Sequence, residues 1–176
     1  MKGKIIPIRE TIIKFGVIFG IARIIFSLTS YLSGYYANQG LAHLIILFLI
    51  TVISIVIGQL IFKKSNNGFI SLGEALKISI GISLLGGLMA VLWKVLLIKV
   101  IDPEIITQLE DNHIKRIAET SADFTQENIE RTLAINKKHS SSWRMITKAI
   151  IEDLFYGFLF GLISGLIISK KRDPFK

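Results

Sequence analysis

An all-α fold, a four-helix transmembrane bundle with a helical extracytoplasmic insertion between spans three and four, is predicted by three observations on this sequence. The first is composition: 51% of the 176 residues are hydrophobic and only 19% are charged. A chain of this size in water has too little interior to bury that much apolar surface, so lipid has to cover the excess. The second is that apolar stretches recur, each about as long as the roughly 20 residues that cross a bilayer core. The third is that cations collect at the ends of those stretches.

Composition also excludes. With no cysteine there is no disulfide framework, thiolate metal site or thiol nucleophile. The net charge of +8 raises nucleic acid as a partner, but that reading requires basic residues gathered on a soluble face. Here they flank apolar runs, so the lipid bilayer is the expected partner and nucleic acid is not. No cofactor is expected.

The chain opens on a basic lead-in, Lys2, Lys4, Arg9 and Lys14 against Glu10, with Pro7 delaying regular helix. Span one then covers about 12–36, interrupted by Arg23. A secretory leader is the competing reading, but Arg23 breaks the apolar core and Gly40-Leu41-Ala42 comes late for a cleavage site. Gly34 to Gly40 is a turn-forming loop with two interfacial tyrosines. Span two, 41–62, is the cleanest, with only His43 near its entrance and Gln59 near its exit strongly polar. Lys63 to Gly68 is a basic turn.

Span three, 72–101, announces its own limits. Ser71 and Glu74 form a capping box, with the acid facing the positive end of the helix dipole. No ionisable residue falls between Ile78 and Trp93. Asp102-Pro103 ends the helix, because a residue before proline is pushed out of helical geometry. Residues 104–142 are polar yet keep helical grammar: Ile105, Leu109, His113 and Ile117 make a narrow apolar stripe. A second helix starts near Thr125, with Phe124 and Ile129 as a hydrophobic staple. Span four, 143–168, carries Gly157, Gly161 and Gly165, a strip that lets another helix approach backbone to backbone. Packing within one subunit is the first reading of that strip and a homo-oligomer contact the second.

Orientation follows from the loops. The amino tail, the Lys63 turn and the carboxyl tail hold ten cations on one side. The insertion sets five cations against seven acids on the other. The positive-inside rule then puts both termini in the cytoplasm, of a cell (inner) membrane protein.

The run FKKSNNGFISLGEALKISIGISLLGGLMAVLWKVLLIKVIDPE from Phe62, the acidic helical segment, SSSWRMITKAII from Ser140, and the glycine-rich last span with its lysine-rich tail resemble the small Bacteroidota membrane proteins grouped as domain of unknown function 4199. The resemblance implies a multi-pass membrane protein and supplies no catalytic residues.

The side chains to weigh are the charges inside the spans, since a charge at membrane depth costs about 2.5–3.5 kcal/mol on insertion scales unless paired or wetted. Counted from the cytoplasmic ends at ~1.5 Å per residue, Arg23 lies roughly 16 Å in, Glu152 and Asp153 roughly 22–24 Å, and Lys94 roughly 33 Å. Lys94 is within reach of Glu152 or Asp153, and Lys148 pairs with Glu152 along one face. One reading makes Arg23, Lys94, Glu152 and Asp153 the lining of a polar cavity or ion path. The other has Lys94, Lys99, Arg144 and Lys148 snorkelling to the headgroups, with Glu152 held as a packing contact. Arg23 fits the second reading least, being nearest the midplane with no acid at equal depth by this count.

Other chemistry is thin. His43, His113 and His139 lack ligand spacing, so no metal site is expected. Ser140 to Ser142 has no nucleophile-elbow context. Gly86-Gly87 lacks the lysine-serine pair of a phosphate loop and marks a close helix contact or mild kink. The expected role is a non-enzymatic membrane scaffold or binding protein whose 104–142 insertion meets a protein partner. The alternative is a small ion or solute transporter or channel component that uses the intramembrane charges.

Overall fold

The computed structural model describes residues 6–37, 40–109, 111–112 and 142–170. Among them, four long helices alternate in direction: α1 (Ile8–Leu32), α2 (Leu41–Ser65), α3 (Leu72–Leu96) and α4 (Ser142–Ile168). All four contain windows long and apolar enough to cross a membrane. Each also exposes large apolar side chains along its length, Leu32 at 75% and Ile167 at 78% among them. Only hydrocarbon accommodates such a surface at equilibrium.

The starts of α1 and α3 and the ends of α2 and α4 gather at one end of the bundle, the basic end, which holds Arg9, Lys63, Lys64 and Lys170. Ile8, Ile70 and Ile168 share its apolar cluster. The backbone groups of Ile70 and Lys170 bond reciprocally at 3.1 and 2.8 Å, tying the entry to α3 to the exit from α4. Lys63 Nζ donates to the Ile168 carbonyl at 2.8 Å, putting a cation on an orphan acceptor at the negative end of α4.

Helix limits follow from local chemistry. Span one starts at Ile8 and not near 12, because Pro7, which has no N–H to lose, sits where an N-terminal proline is tolerated, with φ −62° and ψ 149°. It stops at Leu32, four residues earlier than 36. Gly34, at φ 72°, supplies the left-handed residue of a Schellman turn in which Tyr35 N–H reaches the Ser30 carbonyl at 2.9 Å. The capping box of α3 is present, with Glu74 N–H donating to Ser71 Oγ and Ser71 N–H to Glu74 Oε2. Its last turn widens into a π-helix, Leu97–Ile101. Asp102 then leaves helical geometry, and its Oδ1 accepts the amides of Glu104 and Ile105 at 3.2 Å. Asp102 thus ends one helix and caps the next.

The α3 helix is the central post, packed most extensively on α1 and α4. Its two adjacent glycines serve different neighbours. A Cβ on Gly86 would strike Phe19 and the α1 backbone at Gly16 and Gly20. A Cβ on Gly87 would strike the Asp153 carboxylate of α4. Along the other contact, Gly157 faces Ser83, Gly161 faces Ser79, and Gly165 faces Leu72 and Ala75. Gly16 and Gly20 carry the same four-residue spacing, a signal that the sequence reading passes over.

Two apolar clusters divide the bundle. Toward the basic end, Phe15, Phe19, Ile55, Ile78 and Ile82 are nearly or fully buried. Within this region Gln59 of α2 donates to Ser79 Oγ at 2.7 Å. At the far end, Tyr36 and Leu97 close on Ile105, with Leu109 packed against them. The first two members of the insertion's stripe therefore turn inward onto the bundle. His113, Ile117, the helix from Thr125 and the insertion on to Ser141 lie outside the described residues, as do Lys2, Lys4, Lys171, Arg172 and Lys176.

Candidate functional site

Between α2 and α4, on the far-end side of the Phe15–Ile82 cluster, the helices part around a cleft of about 590 Å³. Its polar lining comes from all four helices: Arg23 of α1, His43 and Thr51 of α2, Lys94 of α3, and Glu152 and Asp153 of α4. The four charges singled out in the sequence thus line one space. Its apolar wall includes Leu44, Ile45 and Phe48 on one side and Tyr156 on the other. These four are exposed, on helices long and apolar enough to cross a membrane, so the cleft opens sideways at the α2–α4 seam.

The floor is an ion pair. Arg23 Nη1 donates to Asp153 Oδ1 at 2.6 Å, with the two side chains 19% and 14% exposed. The depth count put no acid level with Arg23, and Asp153 is nonetheless its partner. Gly86 lodges between Gly16 and Gly20, which shifts α1 toward the far end relative to α3 by about four residues, or ~6 Å. Asp153 meets α3 at Gly87, so its backbone lies nearer the basic end than that of Arg23. Side chains lean toward their own helix N-terminus. Because α1 and α4 are antiparallel, arginine and aspartate lean toward each other and close the offset. The guanidinium also lies 5.4 Å from the ring centroid of Phe19, one turn back on α1. Asp153 Oδ2 is buried against Gly87, with no hydrogen-bond donor among the described residues.

Of the expected pairs, Lys148 with Glu152 is present, whereas Lys94 with either acid is not. Asp153 is taken by Arg23, and Glu152 lies 3.7 Å from Lys148 in an exposed i,i+4 pair. Lys94 reaches neither acid within 4.0 Å and has no ion pair among the described residues. It runs from the far-end part of α3, where its stem leans by default toward the basic end and hence into the cleft. Lys99 lies exposed in the π-helical turn, and the Arg144 side chain is outside the described set.

A smaller hollow of about 120 Å³ continues the cleft toward the far end, sharing Arg23, His43 and Lys94 and adding Ser27, Tyr36 and Trp93. Trp93 Nε1 donates to Ser27 Oγ at 2.9 Å. The His43 ring lies 4.8 Å from Phe26. Burial pushes the Tyr36 phenol up from its ordinary value, so it remains a protonated hydrogen-bonding group at neutral pH. Toward the basic end Phe160 closes the cleft, stacked on Tyr156 at 5.9 Å and edge-on to Phe48 at 5.1 Å. Beyond it lie Phe15, Ile55, Ile78 and Ile82. The polar space ends there.

Four antiparallel apolar helices, a lipid-facing surface and charges turned inward define the class, a multi-pass membrane protein. Residues 14–170 match the family described as Protein of unknown function (DUF4199), and the chain belongs to that family. No curated protein and no solved structure matches it.

Proposed function

We propose that this chain is a non-enzymatic membrane binding protein and that the cleft between α2 and α4 is its binding site. One observation carries the reading: an intramembrane space of about 590 Å³ in which charged side chains from three helices converge. That volume lies within the range of small-molecule sites. The space is blind, ending at Phe160 and the buried cluster around Ile78, which favours holding a ligand over conducting one. The transporter alternative draws on the Arg23–Asp153 pair near mid-bundle and needs a second conformation that opens the basic end. The scaffold alternative, with a partner on the insertion, loses part of its surface because Ile105 is 5% exposed and packed inward.

The same proposal sets the basic end in the cytoplasm of a cell (inner) membrane and the His43–Lys94 end of the cleft toward the opposite face, since cytoplasmic loops carry the excess of lysine and arginine. The test is extraction of the protein from native membranes in polymer-bounded discs, with mass spectrometry of what is retained. Wild type is expected to hold a stoichiometric species that is lost when the cleft is filled by Ala149→Trp or, independently, Thr51→Trp. Equal retention, or none in any form, contradicts the reading.

A further inference from the structure

We infer that the cleft accommodates an anionic membrane lipid, its acidic head at Lys94 and one acyl chain lying along the α2 wall. This rests on the binding reading above and adds the chemical class of the ligand. Charge supplies the first argument. Of the cations that line the cleft, Arg23 is matched by Asp153 at 2.6 Å, while Glu152 at the rim is beside Lys148 at 3.7 Å. Lys94 alone faces the space without an acid within 4.0 Å among the described residues. An ammonium in a cleft walled largely by apolar side chains is incompletely hydrated even at the interface, so the cleft favours an anion beside it.

Shape supplies the second argument. The wall below Lys94 is apolar and open to the bilayer: Leu44 is 57% exposed, Ile45 49% and Phe48 50%, and all three line the cleft. A water-soluble anion would leave that wall bare, whereas an acyl chain covers it and enters sideways without crossing a polar barrier. Depth supplies the third. Lys94 shares both hollows with His43, in the first turn of α2, so it lies at the far-end interface where a lipid head resides. The cleft then runs from that polar end toward Tyr156 and Phe160, the order of groups in a lipid of the same leaflet.

The experiment reconstitutes the full chain in discs made from equal parts of phosphatidylcholine and phosphatidylglycerol, strips loosely held lipid with detergent, and counts the lipids that remain. Wild type is expected to retain phosphatidylglycerol over phosphatidylcholine by roughly fivefold, the ratio one lysine contributes at an anionic surface. Lys94→Gln abolishes the preference, Lys94→Arg keeps it, and Lys99→Gln leaves it unchanged. Thermal stability of each variant, measured in parallel, separates loss of lipid from loss of fold. Glycerol phosphate, which has the head but no chain, is expected not to compete at millimolar concentration. An unaltered preference in folded Lys94→Gln, or full competition by glycerol phosphate, overturns the lipid assignment. Retention of a water-soluble species that Ala149→Trp displaces overturns it too, while leaving the binding reading standing. Retention of nothing in any form removes both.

Discussion

Arg23 and Asp153 exemplify how a single contact changes the cost of a charge in lipid. Either group alone at this depth costs about 2.5–3.5 kcal/mol on insertion scales, and removing one partner leaves the other in that condition. Arg23→Leu and Asp153→Leu are each expected to destabilise by about 2–3 kcal/mol. The double variant Arg23→Leu/Asp153→Leu falls well short of the sum, because no lone charge remains. Asp153→Leu is the more damaging single change, since a stranded carboxyl can take up a proton and a guanidinium cannot. Reversible unfolding in bicelles measures all three, and strictly additive losses would contradict the pair. Gly87 is a second residue-scale test. Gly87→Ala puts a methyl group on Asp153 Oδ2 and is expected to cost about 1–3 kcal/mol. Gly73→Ala in the same helix meets open space and is expected to be neutral or stabilising by about 0.5–1 kcal/mol.

The elements are held by backbone proximity more than by side-chain bulk. The Gly157, Gly161 and Gly165 strip lies against Ser83, Ser79 and Ala75, so α4 approaches α3 as two small-residue faces, where dispersion does the work. Gly161→Leu is expected to push α4 off α3, lower the melting temperature by several degrees, and disturb the Arg23–Asp153 contact two turns away. An unchanged melting temperature would show that the strip is not a packing face. The α3 start is a smaller term: Glu74→Ala removes half of the capping box and is expected to cost about 1 kcal/mol. Much at this scale was legible in the sequence. The Ser71/Glu74 signature, the Asp102-Pro103 stop and the turn glycine Gly34 act locally, so their consequences follow from neighbours in the chain. The start of α1 did not follow, because Pro7 reads as a delay when it is in fact the boundary, and those four residues misplaced Arg23.

For the whole molecule, hydropathy was enough to identify four spans, since hydrocarbon imposes one length and one polarity on each. The cleft was not legible as a space. Its charges stood out as costly residues, but which of them meet depends on the offset between α1 and α3 fixed at Gly86, and on antiparallel side chains leaning toward one another. Neither is visible along a single chain. The central claim is an antiparallel bundle in a membrane, with Lys63, Ile70 and Lys170 at one end and Tyr36, Leu97 and Ile105 at the other. It is tested most directly by cysteine labelling, for which the cysteine-free chain is suited. Single cysteines at Asn66, Ser169 and Tyr35 in sealed vesicles of known orientation are treated with a membrane-impermeant maleimide. Asn66 and Ser169 are predicted to react from the same face and Tyr35 only from the other, whereas reaction of Asn66 and Ser169 from opposite faces would contradict the fold.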